Sequence, residues 1–141
     1  MQRCGSIRAP AIILFSCSLL ACGSETGDPP PESTSVDPRV AAAMPAGTDI
    51  EMARDGQRLF AVCAVCHGSD AAGTQLGPAL NDSVWIHGSG SVEEIAAIIR
   101  SGIADPEEFE IPMPVMGAGD FNDEQIRALA AYVYALSRTP T

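Results

Sequence analysis

The chain has 141 residues, of which 46% are hydrophobic, and its 18 acidic against 8 basic residues give a formal net charge of −10. This length allows one modest domain. The acidic balance argues against nucleic acid and anionic surfaces as partners and favours a basic protein.

Residues 1–21 have the pattern of a secretory signal. Arg3 and Arg8 precede the uncharged run AIILFSCSLLA at 11–21, which is shorter than the roughly 20 apolar residues of a membrane span but fits a signal peptide. The segment LLACG at 19–23 resembles the lipobox of bacterial lipoproteins. That resemblance implies cleavage before Cys22 and a lipid anchor on it, on the periplasmic side of the envelope, with the outer membrane favoured. An ordinary signal peptide is the alternative.

Two further regions are expected after the signal. Residues 22–47 are rich in proline, serine and acidic residues and nearly free of large apolar ones, which predicts a disordered tether. The folded domain is expected at 48–141. A domain of this size is small for a core of its own, and a large apolar cofactor would complete it.

The domain is predicted to be all-α, because three segments have helical periodicity and none alternates clearly enough for a sheet. The first helix is expected over about 49–62. Gly56 in its middle should cost about 1 kcal/mol relative to alanine, which suggests that another backbone comes close there. The second is expected over 91–102 and the third from Asn122, and both open on a capping-box pattern.

The first helix runs into the motif CAVCHG at 63–68. Two cysteines three residues apart and followed by histidine are the attachment signature of c-type haem, with Cys63 and Cys66 as thioether anchors and His67 as an iron ligand. A zinc site would need two more ligands, and only His87 and carboxylates remain. A dithiol switch would follow a strand, which is not predicted here, and would sit in an oxidising compartment.

Residues 48–138 resemble a class I monohaem cytochrome c, and within that group are similar to small cytochrome domains of bacterial haem-copper oxidases and to photosynthetic carrier cytochromes. The matching blocks are CAVCHG at 63–68, LGPAL at 76–80, VWIHGSGSVEEI at 84–95, MPVMG at 113–117 and DEQIRALAAYVYALS at 123–137. The resemblance implies a cytochrome c fold, in which three main helices and their loops wrap around one covalently attached haem c.

The resemblance also implies roles for single residues. Cys63 and Cys66 would form the thioethers, and His67 would be the proximal ligand. The carbonyl of Pro78 would accept a hydrogen bond from the other nitrogen of the His67 ring, which orients the ring and raises its basicity as a ligand. A simple turn at Pro78 is the alternative.

The sixth ligand has three candidates downstream. Met113 matches the family ligand, and the residue before a proline is pushed into an extended conformation. Met116 stands where the family has an aromatic residue, so it remains an alternative. His87 is expected at the surface or the haem edge, with a bis-histidine site as the minor option. Trp85 is expected near the haem or a propionate, or as a core aromatic.

In this family the first and last helices cross. Here the resemblance implies that Gly56 and Phe60 of the first helix meet Tyr132 of the last.

Two filled axial positions imply reversible one-electron transfer without catalysis, and a methionine ligand favours the ferrous state. The expected partners are redox proteins with a basic docking face, attracted to the acidic segment 105–110, together with the membrane through the lipid on Cys22. Neither nucleic acid nor a small-molecule substrate is expected. The alternatives are a fixed relay subunit of an oxidase or dehydrogenase complex, and a haem sensor or peroxidase-like enzyme with a labile sixth ligand.

Overall fold

The computed structural model describes residues 35–139. The expected signal peptide, Cys22 and the first part of the expected tether lie outside the described residues. In chain order the helices of the described part are α1 Pro38–Ala43, α2 Ile50–His67, α3 Val92–Ser101 and α4 Asp123–Leu136, with a 3-10 helix at Val115–Ala118. The prediction of an all-α fold is confirmed.

Within the described range 35–139, β-type pairing is limited to one antiparallel bridge, which joins Ile103 to Met113. Within the same range, none of the helices combines the length and the apolarity that a membrane crossing requires.

Helix α2 is longer than expected, because it continues through the CAVCHG motif. Asp49 caps its start by accepting a hydrogen bond from the Met52 amide at 2.8 Å. The helix ends only at Gly68, whose φ of +83° suits glycine and whose N–H donates to the Ala64 carbonyl oxygen at 2.9 Å. The predicted end at residue 62 is therefore wrong by more than one turn, and the motif occupies the last turns of the helix.

Helices α3 and α4 have the predicted starts. The Ser91 hydroxyl accepts from the Glu94 amide at 3.3 Å, and Gly102 ends α3. Asn122 and Gln125 form a reciprocal capping box, with both hydrogen bonds at 2.9 Å.

The expected crossing of α2 and α4 is confirmed. The rings of Phe60 and Tyr132 lie 5.8 Å apart between centroids at an interplanar angle of 58°, which is an ordinary tilted aromatic pair. A Cβ added to Gly56 would collide with the Ala128 carbonyl oxygen and come within 2.5 Å of the Tyr132 Cβ. Glycine at position 56 thus lets the two helix backbones touch.

Helix α1 corrects the predicted tether. Asp37 caps it and Pro38 begins it, while Val36 and Val40 are buried at 7% and 6% exposure. Val36, just before the cap, and Val40, within the helix, both belong to the buried core, and α1 packs on α4. The prediction of disorder through residue 47 is therefore wrong for residues 36–43. The burial of Val36 and Val40 against the rest of the domain stabilises this segment.

Candidate functional site

A cavity opens between the end of α2, the loop after it, α3 and the segment before the 3-10 helix. It encloses about 1120 Å³ of space, part of it open to solvent, and most of its wall is aliphatic or aromatic. Ile95, Ile98 and Ile99 of α3 form one side. The residues on the wall that carry cofactor chemistry are Cys63, Cys66, His67, Trp85, His87 and Met113.

The helical form of the motif explains its spacing. Cys63 and Cys66 are three residues apart on α2, and Cys63 and His67 are four apart, so all three side chains lie on one face. Both cysteines are free thiols and partly buried. Burial raises the pKa of the Cys63 thiol to about 11, and the nearby Cys66 adds to the rise. Cys63 is therefore a neutral thiol, and both cysteines line the apolar cavity.

The ring of His67 is fixed by one hydrogen bond. Its Nδ1 donates to the Pro78 carbonyl oxygen at 2.8 Å, the pairing that the family resemblance implies. Because Nδ1 holds the proton, Nε2 keeps the lone pair that a metal ligand needs. Burial lowers the pKa of His67, while the bond to Pro78 acts in the opposite direction.

The loop after α2 holds Pro78 in place. The Gly73 amide donates to the His67 carbonyl oxygen at 2.8 Å, and the Thr74 hydroxyl donates to the Cys66 carbonyl oxygen at 2.6 Å. A Cβ on Gly77 would come within 3.2 Å of the His67 ring. Sequence reasoning missed Thr74 and Gly73, because only the tertiary course of the loop brings them to the motif.

The two candidate methionines have different surroundings. Met113 lies on the cavity wall, and its backbone is paired with Ile103 by hydrogen bonds of 2.9 and 3.0 Å. Met116 packs against the buried core and has a φ of +57°. The structure therefore brings Met113, and not Met116, onto the same wall as His67.

Trp85 and His87 lie in the loop before α3, and both reach the cavity wall. Trp85 also packs against the buried core. Its indole lies directly against Gly90, which has a φ of +73°, and a Cβ added to Gly90 would collide with the indole Nε1. The two roles expected for Trp85, beside a cofactor and in the core, are thus compatible in one position.

The residues present fit a covalently attached haem. The wall offers two free thiols in register on one helix, an imidazole with an available lone pair, a thioether and an extended apolar surface. Among the described residues, no group of three or more His, Cys, Asp or Glu side chains is placed to hold a metal ion.

Comparisons with known proteins agree with this chemistry. The family model described as "Cytochrome c" matches residues 53–137. The chain is 40% identical over 86 residues to the cbb3-type cytochrome c oxidase subunit CcoP of Rubrivivax gelatinosus, which covers 60% of this chain and 26% of that protein. It is 41% identical over 90 residues to the subunit FixP of Sinorhizobium medicae (strain WSM419), which covers 61% of this chain and 30% of that protein.

The chain thus spans less than a third of each of these two oxidase subunits. Among solved structures, the c-type cytochrome XoxG from Methylobacterium extorquens AM1 aligns with a TM-score of 0.48 and 23% identity, over 76% of this chain and 78% of that one.

Proposed function

Because the chain belongs to the cytochrome c family, whose members carry covalently bound haem c, we propose that its domain is a one-electron carrier with iron held between His67 and Met113. Haem c supplies one iron atom that alternates between the ferric and ferrous states. The observation that carries the proposal is the presence of both side chains on the wall of one apolar cavity.

Each residue of the site has a separate task in this proposal. Cys63 and Cys66 would hold haem c covalently as thioethers, which would prevent its dissociation. Pro78 orients the His67 ring and strengthens it as a donor. The sulfur of Met113 favours the ferrous state. The apolar wall acts in the same direction, because a buried site disfavours the additional positive charge of the ferric form.

A redox titration of the purified holoprotein tests this function. We expect a single one-electron wave and a sulfur-to-iron charge-transfer band at the red end of the ferric spectrum. The ferrous protein should not bind carbon monoxide at neutral pH, because His67 and Met113 would both be bound to the iron. A high-spin ferric spectrum or ready carbon monoxide binding would instead support a sensor or peroxidase-like enzyme. A colourless protein with two titratable thiols would contradict haem attachment altogether.

A relay role within an oxidase is a second candidate, and the similarity to CcoP and FixP supports it over a freely moving shuttle. Those proteins are oxidase subunits, whereas this chain matches only part of them. Recovery of the protein in a stable complex with a large membrane oxidase would favour the relay, and recovery of the protein alone would favour the shuttle. An acyl anchor on Cys22 fits either role.

The acidic segment 105–110 supports the proposal that the partner protein has a basic docking face. Its acidic residues Asp105, Glu107, Glu108 and Glu110 are exposed, while Pro106 and Phe109 of the same segment lie on the cavity wall. The negative charges therefore stand beside the cavity. Charges in such a position act mainly on the rate of association with a basic protein.

Charge reversal in this segment provides a test of the docking proposal. The double change Glu107→Lys and Glu108→Lys should slow electron exchange with the cationic reagent hexaammineruthenium by about tenfold at low salt, and should speed exchange with anionic hexacyanoferrate. Stopped-flow rates measured against ionic strength should converge at high salt, where these charges are screened.

The matched control reverses two charges near the start of α2, at the opposite end of that helix from His67. Glu51→Lys and Asp55→Lys change the net charge equally, and position 55 is about 18 Å along the helix from His67 at 1.5 Å per residue. The ion pairs these changes remove are exposed and contribute little to stability. Equal rate changes in both double variants would show that net charge, and not the segment 105–110, controls the encounter.

A further inference from the structure

The backbone of Met113 is hydrogen-bonded to that of Ile103, which lies two residues after the end of α3. The Ile103 amide donates to the Met113 carbonyl oxygen at 2.9 Å, and the Met113 amide donates to the Ile103 carbonyl oxygen at 3.0 Å. Pro112 and Pro114 on either side of Met113 lack an N–H. The Met113 amide is therefore the single backbone donor of these three residues, and it is used to close this bridge.

Gly102 makes the close approach possible. It is the residue after α3, with φ +64° and ψ −170°, a combination that essentially only glycine adopts. Its own amide donates to the Ile98 carbonyl oxygen at 2.8 Å. An added Cβ would lie 2.8 Å from both the Pro114 carbonyl carbon and the Val115 nitrogen, and would collide with the Met113 carbonyl oxygen.

Helix α3, which ends just before Gly102, is held firmly in place by its cap and its packing. Ser91 caps its start, Ile95 and Ile99 are buried, and the helix packs on α4. The three nearest atoms that an added Cβ would meet all belong to the backbone, which cannot rotate away as the tip of a side chain can. Any side chain at position 102 would therefore force the segment 113–115 away from α3.

We infer that Gly102 is a positioning residue for the sixth iron ligand. By letting α3 touch the segment 113–115, it allows the Ile103–Met113 bridge to form, and the bridge sets where the Met113 sulfur lies. A neutral thioether is a weak donor, so its hold on iron depends on being kept in place rather than on charge. The inference rests on the proposed assignment of Met113 as a ligand.

Competition by imidazole measures how firmly the sulfur is held. In the full-length ferric holoprotein, imidazole displaces methionine and the charge-transfer band disappears. We expect Gly102→Ala to lower the imidazole concentration for half-displacement at least tenfold. Gly47→Ala is the matched control, because Gly47 also has a positive φ, +87°, but nothing lies within 4 Å of its added Cβ. This control should stay within twofold of the unchanged protein.

Two results would overturn the inference: an unchanged imidazole midpoint in Gly102→Ala, or an equal shift in Gly47→Ala. If Gly102→Ala yields no holoprotein, amide hydrogen exchange measured on the unchanged protein serves as the test instead. The Ile103 and Met113 amides should then exchange more slowly than the amides of 107–110, and at least tenfold faster once imidazole saturates the iron. Exchange that does not respond to imidazole would contradict the inference.

The ligand assignment and the inference fail in different ways. If Met113→Leu keeps the charge-transfer band, the assignment of Met113 is wrong, and the inference falls with it. If Met113→Leu loses the band while Gly102→Ala binds imidazole like the unchanged protein, only the positioning role of Gly102 is wrong.

Discussion

Replacement of Met113 by leucine is expected to abolish the charge-transfer band and to lower the reduction potential by on the order of 100 mV, within the roughly 0.8 V range set by haem axial ligands. Leucine has a similar volume, so the change in packing alone should cost less than about 1.5 kcal/mol of stability, and the loss of the sulfur ligand adds to that cost. The ferrous variant should also bind carbon monoxide. Potentiometric titration and visible spectra of the holoprotein measure these effects.

Met116→Leu is the matched control for this substitution. Its side chain packs against the core and not on the cavity wall, so the band and the potential should stay close to their original values. The opposite pattern, in which Met116→Leu loses the band and Met113→Leu keeps it, would move the ligand assignment to Met116.

The largest effect on stability is expected at the α2–α4 crossing. Gly56→Ala gains about 1 kcal/mol of helix propensity, but its Cβ meets the backbone of Ala128, and overpacking of this kind costs about 1–3 kcal/mol or more. Because the obstacle is backbone, we expect the upper end of that range and a net loss of about 2 kcal/mol. Thermal unfolding of the holoprotein should show a fall in Tm of about 8–16 °C.

Ala61→Gly measures the propensity contribution separately. Ala61 is exposed on the same helix, so this change removes about 1 kcal/mol without altering packing. A Gly56→Ala variant that melts at a higher temperature than the unchanged protein would show that propensity outweighs the contact, and that the two helices can move apart at little cost.

Local signals predicted most of the fold. The starts of α3 and α4 depend on capping side chains three residues away, and such short-range patterns can be read directly from a sequence. Gly56 was noticed because it opposes the propensity of its own helix, and the contact with Ala128 explains it. Helix α1 was missed because Val40 and the preceding Val36 gain stability from tertiary packing, including the contact of α1 with α4, which lies far away in sequence.

In the candidate site, too, local patterns predict some residues and only tertiary contacts place the others. The spacing of Cys63, Cys66 and His67 indicates covalent haem from sequence alone, because the whole attachment signature lies within five consecutive residues. Sequence alone left two methionines open, because Met113 and Met116 are close neighbours in the chain. Their different surroundings depend on the pairing with Ile103, a contact that no local pattern announces.

The Ile103–Met113 bridge also has an evolutionary consequence. Residues 104–112 form a loop that this one pair closes, so the entropic cost of lengthening the loop grows only slowly with its length. Its acidic side chains can be exchanged, inserted or deleted while the anchoring pair stays in place. Descendants of such a gene can acquire new docking surfaces by changing the exposed positions of this stretch, while Pro106 and Phe109 continue to line the cavity.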